Sequence, residues 1–198
     1  MKERIIQETK KQVSKFGFRR FTIDDVAFNL GISKKTIYKY FDSKRQLISA
    51  VIDSWLEREK ERTLQIMESD DNWLEKLQKV IFYEIKKQIP LWMIAELQRF
   101  FPEEWSKTNA MGRFKHEQLR KLLRQGIEEG DIRSDLHPAV IELVIYRSIH
   151  GLFETDFLIL NNLTVNQVKK EIKKIILHGI LKKDTMAEER GEKNEEQI

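Results

Sequence analysis

Residues 22–44 read TIDDVAFNLGISKKTIYKYFDSK, and this stretch decides the fold of the 198-residue chain. Thr22 and Asp25 have the spacing of a capping box, with the acid also at the positive end of the helix dipole. Val26, Phe28 and Leu30 give that helix its apolar residues, and Gly31 ends it where a left-handed backbone is cheap. Ser33 is the next N-cap. In the helix that follows, Ile37 and Phe41 lie four apart and share the inward face. Lys35 and Lys39 then point away from that face, Thr36 and Tyr38 flank it, and Lys34 opens the first turn. Ser43 with Gln46 repeats the box, so a further helix begins near Lys44. Two short helices joined by a glycine turn form a helix-turn-helix, whose second helix is the one that enters the DNA major groove.

Charge supports this reading. Residues 1–48 carry twelve Lys/Arg against five Asp/Glu, whereas the remainder carries twenty-four against twenty-seven. A basic end on a mildly acidic body is the footprint of a chain that meets phosphates at one end.

The segment FTIDDVAFNLGISKKTIYKYFDSKRQLI, preceded by Gly17, resembles the DNA-binding domain of the tetracycline-repressor (TetR) family of one-component bacterial regulators. Ala27, Gly31, Ser33, Thr36, Tyr38, Phe41 and Lys44 fall at the family spacing together. Phe28 departs from it, standing where the family often has a smaller or polar residue, and reads as an enlargement of the local core. The resemblance implies that Thr22 bonds a phosphate as well as its own helix, and that Lys34, Lys35 and Thr36 begin the recognition helix. It also implies that Tyr38, Tyr40 and Lys44 reach backbone phosphate. Lysine can donate to guanine O6 and N7, so Lys35 and Lys39 are the residues expected to specify bases.

The rest of the chain reads as helix, giving an all-α fold: an N-terminal three-helix helix-turn-helix domain (1–48), then a helical effector-binding and dimerisation domain (49–183). Residues 2–16 form one amphipathic helix stopped by Gly17. Residues 44–67 form a long helix through Leu47, Val51 and Trp55. Asp70 or Asp71 caps a helix through Trp73, Leu77 and Ile85, and LWMIAELQRFF follows between Pro90 and Pro102. Further helices are expected over 103–129, from Pro138 to about Leu160, and from the Thr164/Gln167 capping box to about Lys182. The tail from Asp184 holds six acidic and two basic residues with almost nothing apolar, and reads as disordered or frayed.

The last two helices carry broad apolar stripes, from which Ile141, Ile145, Leu152, Val168, Ile172 and Ile175 are taken as dimer-interface residues. The family resemblance implies that these two helices pair into a four-helix bundle. A two-fold dimer presents two recognition helices to a pseudo-palindromic site. Aromatic residues cluster in the middle of the chain. Phe82, Trp92, Phe100, Trp105, Phe114, Tyr146, His150 and Phe153 are the candidates for lining a pocket for a hydrophobic or aromatic effector. His150 and Glu154 share a helical face and read as a satisfied polar pair, while His116 and His178 read as surface residues and His137 as a loop or cap.

There is no cysteine, which excludes disulfides and thiolate chemistry. Eight glycines scattered singly cannot build a nucleotide cradle, and no nucleophile elbow occurs, so neither an enzyme nor a cofactor is expected. No stretch approaches the about eighteen apolar residues of a membrane span, and the N-terminus lacks a signal-peptide core, so a cytoplasmic bacterial protein is expected. The partners expected are double-stranded DNA, a second copy of the chain and a small-molecule effector, with no membrane. A sequence-indifferent architectural DNA protein is the alternative, and base readout separates the two.

Overall fold

A computed structural model of the protein describes residues 1–83, 90–152 and 155–182. Among them lie ten helices: α1 (Lys2–Arg20), α2 (Ile23–Leu30), α3 (Lys34–Tyr38), α4 (Lys44–Met67), α5 (Trp73–Val80), α6 (Leu91–Phe100), α7 (Pro102–Glu128), α8 (Pro138–Gly151), α9 (Thr155–Leu160) and α10 (Val165–Ile180). The described residues contain no strand, only an isolated antiparallel bridge between Ile132 and Leu181. The chain forms two compact units, Met1–Arg62 with Ile89–Met111 and Thr63–Gln88 with Gly112–Ile198. The first unit therefore continues past residue 48 along α4 and takes in α6 and the start of α7.

The first unit closes around Ile5, Val13, Phe18, Phe21, Val26, Ile37, Phe41, Leu47 and Val51, to which α6 adds Met93 and Leu97. The fully buried Ile37 alone contributes about 1.5–3 kcal/mol of apolar burial. Gly17 does not stop α1 outright. It breaks the helix at φ 85°, ψ 176°, after which Phe18–Arg20 resume it. The break turns Phe18 inward, to 2% exposure, and leaves its N–H without a helical acceptor. Glu96 of α6 supplies one, its carboxylate accepting from the Phe18 N–H at 2.8 Å. Phe28, by contrast, is 85% exposed. It sits opposite Val26 and Ala27 on α2, so it does not enlarge the core as expected.

The second unit packs Trp73, Leu77, Val80, Leu119, Leu122, Ile141, Ile145, Ile176, Leu177 and Ile180 together. Asn72, rather than Asp70 or Asp71, caps α5 in a reciprocal box with Glu75. Asp71 instead meets Lys79 at 2.6 Å and the Ser69 hydroxyl at 2.7 Å, contacts that hold its carboxyl below the usual range. The Trp73 ring lies against Gly126, where an added Cβ would come within 2.6 Å of it, and its Nε1–H donates to Asp131 at 2.7 Å. The expected helix from Pro138 to Leu160 is two helices, α8 and α9. The Thr164/Gln167 box caps α10 as expected, with bonds of 2.8 and 3.2 Å.

Ile141 (5% exposed), Ile145 (0%) and Leu152 (2%) are buried, Ile141 and Ile145 in this unit's own core, which removes them from a surface that could meet a second copy. Ile172 packs partly against the same core, Val168 is half-buried, and Ile175 is 71% exposed. The outward face of α8 is Val140, Leu143 and Val144. The helix expected to run through Ile81, Tyr83 and Ile85 ends at Val80 instead, with residues 81–83 outside it. Ile85 itself, the His150 partner Glu154, the pocket candidate Phe153 and the acidic tail from Asp184 lie outside the described residues.

Candidate nucleic-acid interface

Three caps fix the geometry of residues 22–44. The Thr22 hydroxyl oxygen accepts from the Asp25 N–H at 3.1 Å, and the Asp25 carboxylate accepts from both the Thr22 N–H (2.9 Å) and the Thr22 hydroxyl (2.7 Å). These bonds from Thr22 hold the Asp25 carboxyl below its ordinary range. They also commit the hydroxyl proton of Thr22 to Asp25, so Thr22 can donate to a phosphate only by leaving that bond. Gly31 sits at φ 64°, ψ 34°, the left-handed turn that Cβ-bearing residues resist, and the following Ile32 N–H reaches back to the Ala27 carbonyl at 3.0 Å. Ser33 then caps α3 by accepting from the Thr36 N–H at 3.1 Å.

The short helix α3 plugs the core with Ile37 and leaves its other side chains outward. Lys34, Lys35, Tyr38, Lys39 and Tyr40 are exposed and Thr36 is half-buried. Lys39 closes the helix, with its N–H on the Lys35 carbonyl at 3.2 Å. Tyr40 and Phe41 both reach back to the Ile37 carbonyl, which turns Phe41 inward as expected. At the next helix Ser43 accepts from the Gln46 N–H at 3.1 Å, but the Gln46 side chain returns to the Asp42 N–H instead of that of Ser43, so the second box is displaced by one residue.

Lys44 is placed differently from a plain phosphate contact. Its ammonium donates to the Arg19 carbonyl at 2.7 Å and the Phe21 carbonyl at 2.6 Å, and sits 4.4 Å from the centre of the Phe21 ring. Two of its three donors thus satisfy the C-terminal end of α1. Burial pushes its pKa below the ordinary lysine value. Beside it Arg45 spans Glu103 (2.9 Å) and the buried Glu104 (3.2 Å), which holds the start of α4 to the start of α7 within the first unit.

Sequence reasoning missed Asp24. Its carboxylate lies 3.0 Å from the Lys34 ammonium, and that bond raises the lysine's pKa. The signal was available: both residues stand in the first turns of helices flanking one tight turn, and Asp25 already serves as the cap, leaving Asp24 to face outward.

The expected effector residues divide between the two units. Trp92 lies against Gly17, Phe100 has the guanidinium groups of Arg19 and Arg99 at 4.1 and 5.4 Å from its ring centre, and Trp105 packs on the core, all within the first unit. In the second unit Phe82 is buried and Phe114 half-buried. There the Tyr146 ring stacks on His116 at 4.2 Å, with His150 5.9 Å away. His116 is therefore not the plain surface residue expected. Its Nε2 is buried 2.6 Å from a Glu142 oxygen, close but without the alignment of a hydrogen bond, and Arg120 donates to that same oxygen at 2.8 Å. His137 does cap α8, accepting from the Ala139 N–H at 3.2 Å. Among the described residues no group of three His, Cys, Asp or Glu is placed to hold a metal ion, and no helix is long and apolar enough to cross a membrane.

A capped helix-turn-helix with an outward row of lysine, threonine and tyrosine, carried on an all-helical chain, defines a DNA-binding transcriptional regulator. Residues 5–51 match the bacterial regulatory proteins of the tetR family. The chain is similar to the HTH-type transcriptional regulator YvaF of Bacillus subtilis, at 26% identity covering 91% of this chain and 95% of that protein. It is likewise similar to the HTH-type transcriptional repressor KstR2 of Mycobacterium tuberculosis, at 29% identity over 84% of this chain and 86% of that one. Its fold matches that of a transcriptional regulator from Saccharomonospora viridis in complex with choline, with TM-score 0.71 and 16% identity over 92% of this chain and 98% of that chain. The match over residues 5–51 and the similarity to these regulators together support the TetR family of transcriptional regulators for this chain.

Proposed function

We propose that the protein is a repressor that binds a pseudo-palindromic operator as a homodimer and is released by a small, hydrophobic or aromatic effector. The observation that carries the DNA-binding half is the exposed row Lys34, Lys35, Tyr38, Lys39 and Tyr40, with the half-buried Thr36, around the buried Ile37, on a helix fixed by Ser33. Lys35 and Lys39 are the base readers, while Tyr38 and Tyr40 donate to phosphate and set register. Thr22 and Lys44 would support the phosphates with whatever donors their intramolecular bonds leave.

The dimer is supported by the unpartnered apolar side chains Val140, Leu143 and Val144 on α8 and Ile175 on α10. Four large aliphatic groups held in water are the pattern of a covered face. The similarity to a repressor favours repression over activation. Release requires the effector to bind the DNA-incompetent arrangement more tightly, since equal affinity shifts nothing. Both α4 and α7 contain residues of each unit, so a displacement of either helix reaches the recognition unit through the chain itself.

Selection of a random duplex library on the purified protein, followed by sequencing, tests the reading. The expected result is a two-fold-symmetric site bound about 10³-fold or more tightly than random duplex. Retained duplex without sequence enrichment overturns the operator and leaves sequence-indifferent binding.

A further inference from the structure

The face that meets DNA carries an acid that no cap requires. Asp24 is in the first turn of α2, one residue before the cap-forming Asp25, and its carboxylate takes the Lys34 ammonium at 3.0 Å. Both side chains remain open to water, 68% exposed for Asp24 and 49% for Lys34. An ion pair so exposed does little for folding stability. Its effect falls on the electrostatics of the surface instead. Lys34 is the first residue of α3 and one of the charges that phosphates would meet, and in the free protein that charge is already matched. Lys35 and Lys39 are exposed on the same short helix segment, and the ion pair of Asp24 is with Lys34.

We propose that Asp24 is a specificity-setting residue of the DNA face: by holding the Lys34 ammonium it withdraws one positive charge from sequence-indifferent phosphate binding. Non-specific affinity is almost wholly the sum of phosphate contacts. Removing one contact from that sum lowers the background against which an operator must compete, while the base-reading side chains are untouched. Lys34 remains a reserve donor, released when a phosphate is brought close enough to compete with the carboxylate. The inference rests on residues 22–44 meeting DNA, but it does not depend on any particular operator.

The test is a double-mutant cycle on binding to random-sequence duplex across a salt titration, with Asp24→Asn, Lys34→Gln and the double variant in the full chain. Asp24→Asn is expected to tighten random-duplex binding about 3–10-fold at low salt. It should also steepen the dependence of log K on log salt by about 0.9, the contribution of one more phosphate contact. Lys34→Gln alone is expected to weaken random-duplex binding modestly, because it removes the reserve donor and leaves the Asp24 carboxylate unmatched, but to flatten the salt slope by less than one full contact. In the Lys34→Gln background the gain from Asp24→Asn should be clearly smaller, because only the relief of general repulsion is left. If Asp24→Asn tightens binding equally with and without Lys34, the carboxylate acts by general repulsion and the inference fails. It also fails if Lys34→Gln alone flattens the salt slope by a full contact. Asp24→Ser serves as a second variant, and unchanged far-UV circular dichroism confirms that each variant is folded. Absence of wild-type binding to random duplex even at low salt overturns both this inference and the DNA-binding reading, whereas a completed cycle without operator enrichment leaves Asp24's role standing.

Discussion

Replacing Gly17 by alanine should destabilise the first unit by about 2.5–6 kcal/mol, the sum of two local costs. The residue sits at φ 85°, ψ 176°, a region that side chains with a Cβ occupy only at a cost of about 1–3 kcal/mol. The new Cβ would lie 2.5 Å from the Trp92 ring and 2.7 Å from the Glu96 carboxylate. Trp92 is half-exposed and can swing outward, so the ring adds little. Glu96 cannot yield as cheaply, because its carboxylate is the acceptor for the Phe18 N–H; losing a hydrogen bond to a charged group costs about 1.5–3 kcal/mol. The assay is urea unfolding followed by tryptophan fluorescence. Trp55, Trp92 and Trp105 lie in the first unit and only Trp73 in the second. Gly112→Ala in the interior of α7, where an added Cβ meets nothing within 4 Å, is the control. It should stabilise by about 0.5–1 kcal/mol. A Gly17→Ala variant within about 0.5 kcal/mol of wild type would show that the break is not held by glycine and Glu96.

Three further outcomes follow from the same structure. Leu143→Glu with Ile175→Glu should leave helicity intact and convert a dimer to a monomer in analytical ultracentrifugation, whereas Ile145→Glu, at a fully buried position, should unfold the second unit. Thr22→Ala should cost about 1 kcal/mol as a lost cap, read by thermal unfolding. It should also remove part of the acid sensitivity, because Asp25's folded-state pKa is depressed by its bonds from Thr22. The stability that this shift supplies is complete above the unfolded carboxylate value of about 3.9 and is lost as pH falls through the lower folded value. Lys35→Gln should change relative affinities among operator variants, while Tyr38→Phe should weaken all of them alike, as read by competition binding.

The helix-turn-helix was legible because its determinants are local. Thr22 and Asp25, Gly31, Ser33 and Thr36 act within three residues of one another, and the structure realises each of those bonds. The same holds for the Thr164/Gln167 box, and α4 runs from Lys44 to Met67 as its apolar spacing requires. What failed depended on distant partners. An apolar stripe states that a helix is covered, not by what: Ile141 and Ile145, read from the sequence as meeting a second copy, are buried in one core with Leu119, Leu122 and Ile176. Aromatic residues likewise carry no label of destination: Trp105 and Phe82 went to two different cores, and Phe28 to neither.

Lys44 shows why a motif match and a physical role can diverge at one residue. The spacing that makes it resemble a phosphate contact also places it where the chain leaves α1, and there two carbonyls, those of Arg19 and Phe21, lack helical donors. An ammonium has three N–H donors and no fixed plane, so it can close that helix end and still direct one proton outward. The position therefore serves the orientation of α1 and α4 first. A phosphate bound there would report on that orientation, because the distance from Lys44 to any phosphate is set by the same two carbonyls that hold it.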